Sequence, residues 1–515
     1  MPAAPALHPE LRYHHPPQAI VRRSVHVDAC VYGGTASGIV CAVQLARLGR
    51  AVVVVNPATH IGGMTTGGLS WTDFGNKRAI GGIAREFYRR CGAEYGVPEE
   101  WTFEPKAADA VLNEMAAEAG VIVYPREYLK SVRMRDGRIA ALTTESGLTV
   151  SARVFVDATY EGDLMARARV SYTFVRESNR KYGETINGVQ YMKQHQFELP
   201  VSPYIREDDP SSGLLPWIEP HARERPGTGD RRIQAYNFRL ILTRKPENRI
   251  PFPKPAGYDP QEYVLTARYL AAGWKGAFGK FDPIRGDKVD KNNSGATSTD
   301  YIGANYRWPV ASFAERERIF QSHVRYVAGW FWFMANDPAV PEGVRRRMAE
   351  WGLCKDEYTD TGGWPHQLYV REARRMVADY VITENDCRGK SRATDAVGLG
   401  SYGMDSHNCR RYAVDGRVMN EGDVQVAGFP PYPISYRSIV PKRGQCSNLF
   451  VPVCISASHI AYGSARMEPV FMVLGQSAAI AAHLAMEDNA AVQDVPYPAL
   501  RARLLEAGQV LEWTP

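Results

Sequence analysis

The chain has 515 residues, 44% of them hydrophobic and 23% charged, a balance that excludes a disordered or fibrous protein and a length that predicts two closely connected domains. The formal net charge of +6 is mild, and in the absence of a dense Lys/Arg stripe nucleic acid is excluded as a partner. Eight cysteines lie scattered, with no CxxC and no Cys/His group at zinc spacing, which excludes a structural metal and suits a reduced, cytoplasmic chain.

The opening stretch, MPAAPALHPELRYHHPP, lacks the apolar centre of a secretory signal, and its prolines predict an irregular arm over residues 1–24. Val25, Val27, Ala29 and Val31 then alternate, Ala36 to Arg47 repeats at helical spacing, and Val52 to Val55 is continuously apolar. This pattern predicts a βαβ unit whose second strand is buried on both faces. Its turn, Gly33-Gly34-Thr35-Ala36-Ser37-Gly38, has the form of a dinucleotide site: Gly33 permits the sharp turn, Gly38 lets helix and sheet approach, and the helix start directs N–H groups at a pyrophosphate. Thr35 stands where a glycine is usual, so its methyl points away or its hydroxyl bonds the phosphate. Asn56 stands where an acid would hold the adenosine ribose, and Asn56→Glu is expected to preserve or tighten cofactor binding.

THIGGMTTGGLSWTDFG, residues 59–75, holds five glycines. It is too rich in glycine for a regular element and suited to laying bare backbone against a flat or charged group. GGIAREFYRRCGAEYG and AADAVLNEMAAEAG are helical by period. A meander of short strands follows, turned at Asp136-Gly137 and Ser146-Gly147 and returning to a buried strand from Val154 to Val156. That strand runs into Ala158 and Thr159, small enough to pass beside an adenosine or pyrophosphate, and then through a turn at Gly162 to Asp163 and a helix.

From Tyr172 to Trp364 prolines, tyrosines and tryptophans are dense, with one strand in RRIQAYNFRLILT and helices in EYVLTARYLAAG and RERIFQSHVRYVAGWFWFMAN. This composition predicts an inserted α+β substrate domain. Trp330, Phe331 and Trp332 point to different sides of one helix, which favours core packing over a sugar platform. The expected division is an arm at 1–24, a first part of a cofactor domain at 25–171, the insert with its return segments at 172–440, and the rest of the cofactor domain at 441–515.

Near the end, a strand from Leu449 to Val453 leads through a Ser/Ala/His loop to a long helix starting near Met467, with Pro469 in its first turn, where proline is favoured. A helix start that meets a flavin at N1 and O2 stabilises the charge of reduction by ~0.3–1 kcal/mol per contact, and Arg466 just before it adds a full charge. A nicotinamide has no such need, so FAD is favoured over NAD. The longest apolar run, Val470 to Met486, is broken by Gln476, Ser477 and His483, so a buried helix is expected and no membrane span.

GGTASG, HIGGMTTGGLSWTDFG, DATYEGDL, YVREARRMV, MDSHN, YPISYRSIVPKRG and SASHIAYGSARMEPVFMVLGQSAA together resemble the FAD-dependent oxidoreductase family, whose members are often mislabelled xanthan lyases. The resemblance runs from Val31 to Met486. It implies an α/β fold with a Rossmann-like, glutathione-reductase-type FAD domain, discontinuous in the chain and carrying an inserted substrate domain. It also implies that Gly62, Gly63, Thr65, Thr66 and Gly67 line the pyrophosphate and the flavin edge; Met64 between them, and Met467 and Glu468 at the start of the late helix, are further expected cofactor contacts. Thr35 is common in that family, whereas Asn56 replaces its usual glutamate. The family implies no settled substrate.

Hydride transfer from an alcohol or amine carbon needs a base for the O–H or N–H proton and a donor to orient the substrate. His407 in MDSHN and His459 in ASHIAYG are the candidate bases, with Arg466, Tyr436 and Arg371 as orienting groups. The tyrosine- and tryptophan-rich insert favours a polyol, sugar or glycoside, with an unidentified electron acceptor and an open oligomeric state. A flavin monooxygenase, an isomerase or lyase without net redox change, and a non-catalytic flavoprotein are the alternatives.

Overall fold

The computed structural model describes residues 6–220 and 224–514. The first five residues of the expected arm, residues 221–223 of the expected insert and the final residue lie outside the described residues.

The βαβ unit forms as its periodicity predicts. Strand β1, Arg23–Tyr32, is exposed at its start and fully buried over its last four residues. Helix α1, Ala36–Arg47, follows, and β2, Val52–Val55, is buried throughout. Helices α2, Gly82–Ala93, and α3, Pro105–Glu118, come next. Strands β3, Ile122–Tyr124, β4, Leu129–Arg135, β5, Arg138–Thr144, and β6, Leu148–Asp157, complete the first half. The predicted last meander strand and the buried strand at Val154 are thus one element. The sheet order is β3-β2-β1-β6-β5-β4, with β1 parallel to both β2 and β6.

The late segment joins this sheet: Leu449–Phe450 pairs parallel with β6. The strand predicted to reach Val453 stops at Phe450. Pro452 lacks the N–H that would continue the ladder. The Glu468–Glu487 helix packs along α1 so closely that a Cβ on Gly475 would lie 2.3 Å from the Ser37 carbonyl oxygen. This is the one helix among the described residues long and apolar enough to cross a membrane, and 94% of its apolar window is buried within the protein.

The middle of the chain builds a separate five-stranded antiparallel sheet, in the order Phe281–Ile284, Lys288–Lys291, Leu240–Thr243, Gly352–Cys354, Arg249–Ile250. The strand expected over RRIQAYNFRLILT is only its last third, because the earlier residues pair singly with loops, Asn237 bridging to Tyr369. The Phe313–Asn336 helix buries Trp330 and Phe331 in the core, and Trp332 is half-buried against Tyr258. Over residues 6–22 the chain ahead of β1 is irregular and tied down, and the last two residues of the expected arm belong to β1: Leu11 is buried, and the amides of Tyr13 and His14 both donate to Glu317.

Candidate active site and cofactor groove

Three parallel strands end together. Tyr32 stands opposite Val55 and Asp157, so Gly33, Asn56 and Ala158 leave the sheet at one edge. The strand order reverses across β1 there, which is where open α/β sheets take their ligands. A groove at this edge is lined by Gly33, Gly34, Thr35, Asn56, Gly63, Thr159 and Glu161, with Tyr13 of the arm and His366 on its far walls. Gly38 is required for close packing: a Cβ there would lie 2.0 Å from the Gly33 carbonyl oxygen.

The polar side chains of this edge are turned into the fold. Thr35 Oγ1 donates to the Ala158 carbonyl at 2.7 Å and accepts the Gly38 amide at 3.2 Å, capping α1. Asn56 accepts the Gly34 amide at 2.9 Å and donates to the carbonyls of Ala58 and His60 at 3.0 and 2.8 Å. Thr66 donates to the Ile61 carbonyl, the Gly62 amide donates to Gly34, and the Met64 amide donates to Tyr160. Thr159 Oγ1 bonds Asp157. Burial raises the Glu161 carboxyl to about 7. His366 is held neutral by burial and by neighbouring His60, and its Nε2 has no partner among the described residues.

Met467 caps the start of the Glu468–Glu487 helix. The Glu468 carboxyl accepts from Tyr160 at 2.7 Å and Thr65 at 2.8 Å, and burial raises its pKa to about 7. Arg466 turns away from this helix start, donating to Tyr369 at 3.2 Å and to the backbone and side chain of Asp405.

Beyond Arg466 lies a cavity of about 910 Å³, lined among others by Trp71, Asp73, Arg239, Asn293, Tyr369, Asp405, His407 and His195. His407 Nδ1 is 2.9 Å from Asp300 and its Nε2 is 3.5 Å from Asp405. Burial and the Arg371 charge oppose its protonation, but Asp300 and Asp405 outweigh them and raise its pKa. Burial likewise opposes ionisation of Asp405, and His407 and Arg466 overcome it, holding this carboxyl well below the usual range. His195 Nδ1 is 2.8 Å from Asp423. A small ladder sets this arrangement, because Met404–Ser406 pairs antiparallel with Val424–Val426, Ser406 opposite Val424. His407 and Asp423 are the residues just beyond that matched pair.

The groove and the cavity share two walls. The segment carrying His60 and Gly63 in the groove continues to Trp71 and Asp73 in the cavity, and His366 to Leu368 in the groove continues to Tyr369.

The profile of the family described as FAD dependent oxidoreductase matches residues 28–504. The chain belongs to this family. Thiamine thiazole synthase of Methanoculleus marisnigri is 30% identical over 158 residues, 28% of this chain and 61% of that protein. The Thermotoga maritima enzyme of the same name is 27% identical over 139 residues, 27% of this chain and 54% of its own length. The chain therefore spans less than two thirds of the length of these curated relatives. The crystal structure of L-proline dehydrogenase from P. horikoshii is 16% identical, covering 30% of this chain and 59% of that one at a TM-score of 0.25. That of NikD, an amino acid oxidase, is 17% identical, covering 30% and 57% at a TM-score of 0.22. Likenesses this distant carry no argument about substrate.

FAD is the family's cofactor, and the residues fit it. The Gly33-Gly34-Thr35 backbone lies open to the groove, and the unpartnered His366 Nε2 belongs to one of its walls. Gly33, Gly34, Thr35, Ala36, Gly62, Gly63, Met64, Gly67, Ala158 and Thr159 would hold the cofactor chiefly through backbone.

Several of the expected cofactor residues are bonded within the protein: the hydrogens of the Thr35 hydroxyl, the Asn56 carboxamide and the Thr66 hydroxyl go to backbone carbonyls, so none is left to donate to a phosphate. Ser37 faces Gly475. Asp163 is paired with Arg316 at 2.6 Å and Arg374 at 2.7 Å. Burial opposes its charge, but Arg316 and then Arg374 hold its carboxyl well below the usual range, as a structural anion. Arg466 is committed to Tyr369 and Asp405 and not to the helix start, where Glu468 stands instead.

Among the catalytic candidates, His407 lines the cavity and Arg371 stands one layer behind, paired with Asp300 at 3.0 Å. His459 does not line it. Its ring is bonded on both sides, to Glu372 at 2.7 Å and Ser406 at 3.1 Å, which leaves no nitrogen for a substrate. Tyr436 donates to the Val492 carbonyl and packs near Phe450, remote from both openings. Sequence reasoning missed His195, Asp300 and Asp423. His195 lies in an irregular stretch with no periodicity to mark it, and its φ of +46° is visible only in the structure.

Proposed function

We propose that this FAD-dependent oxidoreductase oxidises a small polyhydroxylated substrate, a polyol, sugar or glycoside, at the carbon of one hydroxyl. The carrying observation is the cavity beyond Arg466, where carboxylates, amides and cations alternate with aromatic faces at Trp71, Tyr402 and Phe429. Such a wall matches the hydroxyls and apolar faces of a carbohydrate. When bound, FAD supplies the two-electron acceptor at N5. The chain's own residues bind and orient the substrate, Arg239 and Asn293 as donors and Asp405 as acceptor, and a cavity histidine takes the hydroxyl proton. Arg466 fixes Asp405, and Tyr369 spans from Arg466 toward the opening. In this reading residues 25–171 and 441–515 form one discontinuous cofactor domain of the glutathione-reductase type, residues 172–440 are the insert that supplies the cavity, and residues 1–24 are an arm. The eight thiols, all free and buried, suit a cytoplasmic setting.

The test is turnover of an artificial electron acceptor by FAD-loaded protein, with a panel of polyols, sugars and glycosides beside amines and amino acids. Activity confined to the hydroxylated compounds supports the reading. Activity confined to amines or amino acids overturns it.

A further inference from the structure

We propose that His195, backed by Asp423, is the base that takes the substrate's proton, and that His407 serves beside it as a cationic anchor for a substrate oxygen. This rests on the reading that the cavity holds an oxidisable hydroxyl.

The two imidazoles stand in one cavity with ring centroids 6.3 Å apart and planes 27° apart, but their surroundings differ. His407 has a carboxylate near each ring nitrogen, Asp300 at 2.9 Å and Asp405 at 3.5 Å. Carboxylates on both sides favour the imidazolium form; Nδ1–H is taken by Asp300, while the Asp405 contact at 3.5 Å is longer than a good hydrogen bond and leaves Nε2–H to donate to a substrate oxygen. The carboxylates raise its pKa against burial and the Arg371 charge. His195 has one carboxylate, Asp423 at 2.8 Å from Nδ1. That bond fixes the tautomer with the proton on Nδ1 and leaves a lone pair on Nε2, which has no hydrogen-bond partner among the described residues. Its side chain is 19% exposed, against 7% for His407, so it is the better placed of the two to pass a proton to solvent.

The backbone of His195 is built for a fixed position. It sits in the left-handed region at φ +46°, where an ordinary side chain is rare. Its carbonyl is clamped by the side-chain amides of Asn408 at 3.2 Å and Asn420 at 3.0 Å. Strain that the surroundings hold in place is a feature of functional sites.

In the step assigned to it, the substrate O–H bond breaks toward His195 Nε2 and the freed electron pair forms the second C–O bond. With FAD bound, the cofactor would supply the two-electron acceptor for the carbinol hydrogen and its bonding pair, so that the alcohol would be oxidised to the carbonyl with the proton left on His195.

Two measurements test this. The first is ¹⁵N NMR of histidine-labelled protein without substrate, recorded through a pH titration, with His195→Gly and His407→Gln assigning the signals; glycine accepts the positive φ at position 195 without strain. We expect His195, with one carboxylate, to reach the Nδ1–H tautomer with a bare Nε2 while His407, with two, still holds a proton on both nitrogens. The reverse arrangement overturns the proposal. The second is the rate of flavin reduction by a hydroxylated substrate. His195→Gly is expected to slow it by about 100-fold or more, with added imidazole restoring a large part and FAD content unchanged. His407→Gln is expected mainly to weaken substrate binding, without imidazole rescue. Reduction by His195→Gly at the wild-type rate overturns the proposal. If no hydroxylated compound reduces the wild type, the substrate reading has failed, and the NMR arm still decides the proton arrangement.

Discussion

Replacing Glu468 by glutamine removes a buried carboxyl whose protonation is coupled to folding. In the folded protein it meets two hydroxyls, Tyr160 and Thr65, and no cation, and burial raises its pKa from 4.5 to about 7. Below about pH 4.5 the group is protonated in both folded and unfolded chains and costs nothing. As the pH rises from there toward 7, the unfolded chain gains the free energy of ionising while the folded protein keeps its proton, so stability falls. Above about pH 7 the cost is constant, and at about 1.4 kcal/mol per pH unit it amounts to about 3 kcal/mol. Glutamine keeps the volume and can still bond both hydroxyls. Glu468→Gln is therefore expected to stabilise the FAD-free protein by about 3 kcal/mol near pH 8 and to change little near pH 4.5. Urea unfolding of wild type and variant at the two pH values measures this directly. The raised carboxyls of Asp157 and Glu161 are present in both proteins and cancel in the difference. An equal gap between the two proteins at both pH values would refute the reasoning.

Asn56→Glu and Asn56→Asp would set a carboxylate against the Ala58 and His60 carbonyls that the carboxamide now serves, so a loss of about 2–4 kcal/mol is expected together with weaker FAD retention. An unchanged melting temperature in both variants would contradict the structural role given to Asn56. Arg316→Met leaves Asp163 with Arg374 as its one cation, at an expected cost of about 3–5 kcal/mol. Because the Asp163 carboxyl is held below its ordinary 3.8 in the folded protein, its contribution is present above that value and lost as the pH falls toward the folded one. Acid unfolding of Arg316→Met should accordingly begin at higher pH than in the wild type. Tyr436→Phe removes a single bond to the Val492 carbonyl and should cost about 1 kcal/mol with turnover intact; lost turnover in a folded, FAD-loaded variant would return Tyr436 to the site.

The cofactor end of the fold was legible because it rests on short-range rules. Gly33 and Gly38 stand where the turn and the helix contact demand them, and the apolar run Val52–Val55 has the composition of a strand buried on both faces. The start of the Glu468–Glu487 helix was equally legible, from Pro469 and the apolar run behind it. Side-chain direction was not. The residue types of Thr35, Asn56 and Thr66 suggested cofactor contacts, but whether a hydroxyl or amide faces a ligand or its own backbone depends on partners such as Ala158 and His60, set by the folded turn. The substrate cavity was least legible, since His195, Asp300, His407 and Asp423 come from four separated segments. Of these only His407 lay in a motif specific enough to attract notice, and the same signal drew attention to His459, whose ring is filled by Glu372 and Ser406.

The most direct test of the central claim is anaerobic stopped-flow absorbance of the FAD-loaded protein mixed with a hydroxylated substrate, unlabelled and deuterated at the carbinol carbon. Bleaching of the flavin band is expected, several-fold slower with the deuterated substrate. Bleaching at the same rate with both, or a flavin left oxidised by every hydroxylated compound while an amine reduces it, would contradict oxidation at a carbinol carbon.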